Sequence, residues 1–198
     1  MNIGLFFGTF NPIHIGHLII ANYMAQRPEL DQVWFVVTPQ NPHKQKDTLL
    51  KDQYRLDMVR EAIQDNPKLR VSDIEFKLAK PNYTISTLSH LQDQYPEHQF
   101  ALILGEDNLR SFQSWHNWEQ IIAKHSLFIY PRNKTDNEKT TAIQNNLLQH
   151  PSIHFCEEVP VIGISASQIR ARLKANQDCR YLLSDSVYEY LLARNYYH

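Results

Sequence analysis

Short apolar runs alternate along this chain with longer stretches of helical periodicity, and this alternation is the strongest constraint on its fold. Ile3-Gly4-Leu5-Phe6-Phe7, Val33-Trp34-Phe35-Val36-Val37, Leu69 to Ile74, Phe100-Ala101-Leu102-Ile103-Leu104, Ser126 to Tyr130 and Ile153 to Cys156 each read as a strand. Helices are expected between them: one after the first strand with Leu18, Ala21, Asn22 and Ala25 on one face, one near Asp52 to Gln64, one opening near Thr84 and one from Thr141 to Gln149. Two more, near Ser167 to Ala175 and Ser184 to Ala193, close the chain. Strands that alternate with helices form a parallel sheet, so the class expected is α/β. The polar stretches that run to Lys51 and from Arg132 to Thr141 read as surface connections, the second of them mobile.

Length and charge narrow the field. A chain of 198 residues with 42% hydrophobic residues suits one domain over 1–198 with a sizeable core. Twenty basic against 21 acidic residues, net −1, leave extended nucleic-acid binding unsupported, although a local positive pocket is allowed. Cys156 and Cys179 are isolated and fit a reducing compartment. No signal-like segment opens the chain and no apolar run is long enough to span a bilayer, so a cytoplasmic protein is expected.

Between the first strand and first helix lies Gly8-Thr9-Phe10-Asn11-Pro12-Ile13-His14-Ile15-Gly16-His17. In an open parallel sheet this junction is where ligands meet the carboxyl ends of strands and the exposed N–H groups of a helix N-terminus. Acidic residues usually complement the positive end of a helix dipole, yet none occurs before Glu29. The field is left for an anion, and phosphate is the natural guest. His14 and His17 supply two further donors at the helix entrance, while Gly8 and Gly16 permit close approach. Only 5 glycines occur in the chain, so their placement here, at Gly105 and at Gly163 is informative. A His pair at this spacing also arises by chance, and it also suits a metal. However, no H-E-x-x-H, paired CxxC or evident third ligand accompanies it.

Other segments have an ordinary reading beside a functional one. In Gly163-Ile164-Ser165-Ala166-Ser167-Gln168-Ile169-Arg170, Ser165 with Gln168 makes a capping box that any helix can use. Arg170 is harder to explain that way: it opposes the helix dipole, and Arg172 and Lys174 follow with no acid until Asp178. Asn41-Pro42-His43-Lys44 sits in a proline-flanked loop, where a lysine is ordinarily just solvated. Asp107, after Leu104-Gly105-Glu106, reads equally as a helix cap, Trp115 as core, Thr84 as an N-cap and Arg132 as a surface charge.

Taken in order, these segments resemble one family. The first resembles the nucleotidylyltransferase signature GTFDPxHxGH, and Gly163 to Arg170 its ISSTxIR motif. Pro42-His43-Lys44, Tyr83-Thr84-Ile85-Ser86-Thr87-Leu88, Leu104 to Asp107 with Trp115, and Tyr181 to Leu191 resemble the PHK, YTxDTL, LGxD-Trp and YLLPxxVxxYI segments of bacterial-type nicotinate-nucleotide adenylyltransferases. Departures fall at Phe7, Asn11, Ser86, Ala166 and Ser184.

The resemblance implies a Rossmann-like open parallel sheet with helices on both faces and a small helical C-terminal part over roughly 165–198. It implies transfer of AMP from ATP to nicotinate mononucleotide, giving deamido-NAD and pyrophosphate in NAD synthesis. On this basis His14, His17, Lys44 and Arg170 are the expected catalytic residues. Gly8, Thr9, Phe10, Gly16, Gly105, Asp107, Ile164, Ser165 and Ser167 would bind ATP; Tyr83, Thr84, Trp115, His116 and Arg132 would bind the mononucleotide. Mg²⁺ would be held mainly through substrate phosphates, with no metal site of the protein's own. The implied partners are ATP and nicotinate mononucleotide, with no nucleic acid and no membrane, and self-association is left open. The attacking phosphate is already anionic at neutral pH, so positioning and charge stabilisation suffice without a nucleophilic side chain.

Three alternatives stand beside this. The acceptor of another nucleotidylyltransferase (nicotinamide mononucleotide, phosphopantetheine or an alcohol phosphate) is separated only by the PHK, YTxxTL and Trp segments. A class I aminoacyl-tRNA synthetase shares the HIGH motif, but no KMSKS-like loop or tRNA-binding extension is present. A non-catalytic nucleotide-binding module would release no pyrophosphate.

Overall fold

The computed structural model describes residues 1–39, 49–132 and 143–197. Six parallel strands form one sheet: β1 (Asn2–Gly8), β2 (Gln32–Val37), β3 (Leu69–Ser72), β4 (Gln99–Gly105), β5 (Leu127–Tyr130) and β6 (Ile153–Phe155). Their order is β3-β2-β1-β4-β5-β6. This is the doubly wound Rossmann arrangement, with the winding reversing between β1 and β4. The carboxyl ends align across the sheet, Gly8 opposite Val37 and Gly105 opposite Tyr130.

The period of two along each strand divides the core. Phe6, Val33, Phe35, Ala101, Ile103 and Phe128 point to one face. There they meet α1 (Ile15–Ala25), α2 (Asp52–Ile63), α7 (Ala166–Lys174) and α8 (Asp185–Arg194), through residues such as Met24, Val59, Ile169 and Leu191. Ile3, Leu5, Trp34, Leu102, Leu104 and Ile129 point to the other. That face is covered by α3 (Thr84–Gln94), α4 (Glu106–Ser111), α5 (Trp118–Lys124) and α6 (Asn145–Leu148), through Leu91, Leu109, Ile121 and Leu147. Both faces are covered, which is why the strands read as continuous apolar runs.

Some boundaries differ from those expected. The third strand stops at Ser72, and Ile74 belongs to a 3₁₀ turn over Ile74–Lys77 in which it is buried. The helix expected from Thr141 is described as Asn145–Leu148, and the connection expected after Arg132 lies outside the described residues from 133 onward. The segment between β4 and β5 is two short helices separated by a 3₁₀ turn at Phe112–Ser114. Among the described residues no helix is long and apolar enough to cross a membrane.

Candidate active site

The site lies at the switch point, beyond the carboxyl ends of β1 and β4. Here α1 begins with His14 as an extended N-cap and no acidic residue in its first turn, so the positive end of its dipole is not neutralised by its own sequence. The His14 and His17 rings stack, with centroids 3.7 Å apart at 22°. The backbone N–H of His14 donates to Nδ1 of His17 at 3.2 Å. An accepting Nδ1 puts the proton of the neutral His17 ring on Nε2, which makes that nitrogen a hydrogen-bond donor. His14 is buried, and burial together with the positive charge of Arg132 lowers its pKa to about 4. It is therefore a neutral imidazole at physiological pH, and its Nδ1 has no hydrogen-bond partner among the described residues.

The two glycines of this loop also lie close against the protein's own side chains. A Cβ on Gly8 would lie 2.8 Å from the Phe10 ring, and one on Gly16 would lie 2.8 Å from Ile162 and 3.1 Å from the His14 ring. They make room for the protein's own side chains. Phe10 itself is turned into the core, 2% exposed, and its ring packs 5.3 Å from Phe35 and 5.1 Å from His17. Its side chain therefore supports His17, leaving only its main chain for a nucleotide.

The second motif comes to the first as expected. Ser165 is the N-cap of α7: its Oγ accepts from the Gln168 N–H at 3.3 Å while Gln168 Oε1 accepts from the Ser165 N–H at 3.2 Å. The capping box is thus real, and the Ser165 hydroxyl lies 3.2 Å from that of the exposed Ser167. Ile164 is half-buried against the core. Arg170 reaches across to the first motif, with Nη1 donating to the Asn11 carbonyl at 2.7 Å.

Opposite, Gly105 is the N-cap of α4, so Asp107 lies in the first turn of that helix and is not its cap. A Cβ on Gly105 would fall 2.3 Å from Asp107 Oδ1 and 2.7 Å from Arg132 Cδ, so the glycine lets both side chains lie against the strand end. Arg132 Nε is 3.9 Å from Asp107 Oδ1, a buried oxygen with no hydrogen-bond partner among the described residues. Arg132 therefore stands at the His14 and Asp107 side of the site.

The remaining expected residues gather around the start of α3. Tyr83, not Thr84, is its N-cap, and no side chain caps it. Exposed Tyr83 packs its ring 4.8 Å from that of His116, and half-buried Trp115 leans on Phe112 at 5.4 Å. Ser86, where the resemblance has Asp, is exposed. Beside it, Glu75, 2% exposed, accepts from the Thr87 hydroxyl at 2.8 Å, and its carboxyl is shifted upward by burial. Lys44 and its neighbours Asn41 to His43 lie outside the described residues.

Two residues of the site were not singled out in the sequence. Arg55 is wholly buried and donates to the carbonyl oxygens of Leu50 at 3.0 Å, Thr38 at 2.9 Å and Pro39 at 3.2 Å, and also to Thr9, while pairing with Asp52 at 2.6 Å. It ties the loop after β1 to the loop after β2. The available signal was its position: Arg55, Val59 and Ala62 share one helical stripe, and an arginine in an apolar stripe needs a reason. The other is Tyr197, whose hydroxyl donates to Asn11 Oδ1.

With this geometry in place, comparison with known proteins gives a consistent result. A family model described as cytidylyltransferase-like matches residues 5–172. A Flavobacterium psychrophilum protein named probable nicotinate-nucleotide adenylyltransferase is 52% identical over 197 residues, covering 100% of this chain and 99% of its own length. A Cytophaga hutchinsonii protein of the same name is 50% identical, covering 100% and 98%. Among solved structures, Plasmodium falciparum nicotinic acid mononucleotide adenylyltransferase complexed with NaAD superposes with a TM-score of 0.77 at 19% identity, covering 99% of this chain and 97% of that one.

Proposed function

The chain belongs to the cytidylyltransferase-like family and, within it, to the nicotinate-nucleotide adenylyltransferases, and from that premise we propose how its residues divide the work. It transfers AMP from ATP to nicotinate mononucleotide, giving deamido-NAD and pyrophosphate. A phosphate oxygen of the mononucleotide attacks the α-phosphorus of ATP. The new O–P bond forms as the bond from that phosphorus to the bridging oxygen breaks, and pyrophosphate leaves with the electron pair. No proton has to be removed from the nucleophile, so no general base is assigned.

The observation that carries this reading is the bond from Arg170 to the Asn11 carbonyl, which brings the His14 helix and the start of α7 to one site. His17 Nε2–H and the N-terminal amides of α1 stabilise charge developing at the α-phosphate. Ser165, Ser167 and Arg170 hold the departing pyrophosphate, and Lys44 adds a further positive charge to it. Asp107 Oδ1 accepts from the nucleotide, and Arg132 lies within reach of a phosphate beside His14. Trp115 provides the flat platform for the pyridine ring, with the carboxylate received at the α3 start between Tyr83, Thr84 and His116. Mg²⁺ fits as a metal carried on substrate phosphates, because the imidazoles, hydroxyls and guanidinium groups gathered here suit phosphate oxygens, and Asp107 beside them belongs to no cluster of three metal-ligating side chains among the described residues. When bound it offsets phosphate charge. A cytoplasmic location is proposed with this activity, and the two buried free thiols, Cys156 and Cys179, agree with a reducing compartment.

The test is to incubate the protein with ATP and Mg²⁺ and either nicotinate or nicotinamide mononucleotide, then identify the dinucleotide by mass. Deamido-NAD from the first is expected. No product from either mononucleotide would overturn the reading.

A further inference from the structure

The last three described residues fold back toward the nucleotide loop. Helix α8 ends at Arg194, and Asn195 adopts the left-handed conformation at φ 53°, with its N–H returned to Leu192 O at 3.2 Å. Tyr196 then donates its N–H to Leu191 O at 3.2 Å and lays its ring 5.2 Å from that of Tyr54 on α2. Tyr197 is also left-handed, at φ 69°. A bulky residue keeps that conformation only where surrounding contacts hold it. The contact here is the phenol, which donates to Asn11 Oδ1. Burial pushes the phenol pKa up, so it remains an O–H donor throughout the working range of pH.

Asn11 is the point where four parts of the chain meet. Its carbonyl accepts from Arg170 on α7, its Oδ1 accepts from the Leu50 N–H at 3.2 Å just before α2, and the same oxygen accepts from Tyr197. Only 4% of Asn11 is exposed, so a donor removed here is not readily replaced by water. The residue stands three before His14, the cap of α1.

We propose that Tyr197 is a positioning residue for nucleotidyl transfer, holding the Thr9 to His14 loop in register through Asn11 so that the N-terminus of α1 meets the triphosphate. The segment that follows α8 is thus part of the active-site frame. This rests on the adenylyltransferase reading for its catalytic consequence but not for the tether itself, and the two are tested separately.

The experiment uses the full chain and Tyr197→Phe, which keeps the ring and removes the hydroxyl. Hydrogen exchange is followed in fragments covering residues 8–17 and, as a control, β5, alongside steady-state kinetics. Faster exchange in 8–17 with β5 unchanged is expected. A fall in kcat/KM for ATP of about 3- to 10-fold, the size of one lost hydrogen bond, should accompany it with KM for nicotinate mononucleotide unaltered. Adding Tyr197→Phe to Asn11→Ala should cost little more than Asn11→Ala alone. Unchanged exchange in 8–17, exchange quickened equally in β5, or fully additive losses would overturn the proposal. An unmodified protein that makes no dinucleotide would defeat the enzymatic reading, with the exchange arm still deciding the tether.

Discussion

Arg170 donates to the carbonyl oxygen of Asn11 at 2.7 Å, joining residues 159 apart in the chain. A carbonyl accepts a hydrogen bond without cancelling the guanidinium charge, whereas a carboxylate would neutralise it. Arg170 is therefore fixed in direction while its charge stays available for phosphate, and the same bond holds the α7 start against the α1 start. Fixing the donor beforehand is what makes it useful in a transition state, because little reorganisation is then needed as charge develops.

Replacing Arg170 by lysine should keep the charge and lose the fork. We expect Arg170→Lys to lower kcat by roughly 10²-fold, comparable to losing one preorganised donor, and Arg170→Gln to lower it further. Both proteins should unfold within a few degrees of the parent. Initial-rate measurements across ATP concentration check this, and a lysine variant with parental kcat would show that charge alone suffices.

The role proposed for His17 uses Nε2, the ring nitrogen that the Nδ1 contact leaves protonated in the neutral ring. His17→Ala should cut turnover by roughly 10²–10³-fold with the fold intact. Circular dichroism establishes the fold and pyrophosphate release gives the rate. A folded variant with near-normal kcat is incompatible with the role assigned.

Arg55 satisfies the carbonyls of Thr9, Thr38, Pro39 and Leu50 from a wholly buried position. Arg55→Met fills much of the same volume but leaves those oxygens without that donor and Asp52 without its partner. A loss of roughly 3–5 kcal/mol in urea unfolding is expected, as for breaking a buried charged network from one side. A loss below about 1 kcal/mol would mean that water or a shifted loop takes over the bonds.

The sheet was legible because strands covered on both faces carry uninterrupted apolar runs, and every expected strand has its counterpart. The two short helices between Gly105 and Leu127 were not, since six or seven residues broken by a 3₁₀ turn show too few repeats of the 3.6 period. In the site, His14 and His17 were legible from their place between strand and helix. The packing of the Phe10 and His14 rings beside Gly8 and Gly16 was not, because those rings are placed only by folding. Arg55 and Tyr197 act on partners 46 and 186 residues away, a distance at which local pattern carries no information about contact.

Trp115 rests half-buried on Phe112, so its ring both packs and is available to a ligand. Trp115→Ala should weaken nicotinate mononucleotide by roughly 1–3 kcal/mol, the range for stacking a base on an aromatic ring, and change ATP affinity much less. Calorimetric titration with each ligand separates the outcomes. Equal weakening of both would instead identify a core residue whose loss disturbs the whole site.

His14 links stability to pH. Burial, helped by the charge of Arg132, lowers its pKa from the ordinary 6.5 to about 4. Above 6.5 the imidazole is neutral in folded and unfolded chains alike and contributes nothing to the pH dependence. As pH falls through 6.5 the unfolded chain takes up a proton that the folded chain refuses, so stability is lost progressively until about 4, where both are protonated. The full loss is about 3 kcal/mol. Urea unfolding of the parent and of His14→Asn at pH 7 and pH 5 isolates this group, since His125, whose pKa burial also lowers, is common to both. The parent should lose more stability than the variant over that interval. Bound ATP should shrink the difference, because phosphate beside the ring favours its protonated form. Parallel pH dependence in the two proteins would mean that His14 protonates in the folded chain as readily as in the unfolded one.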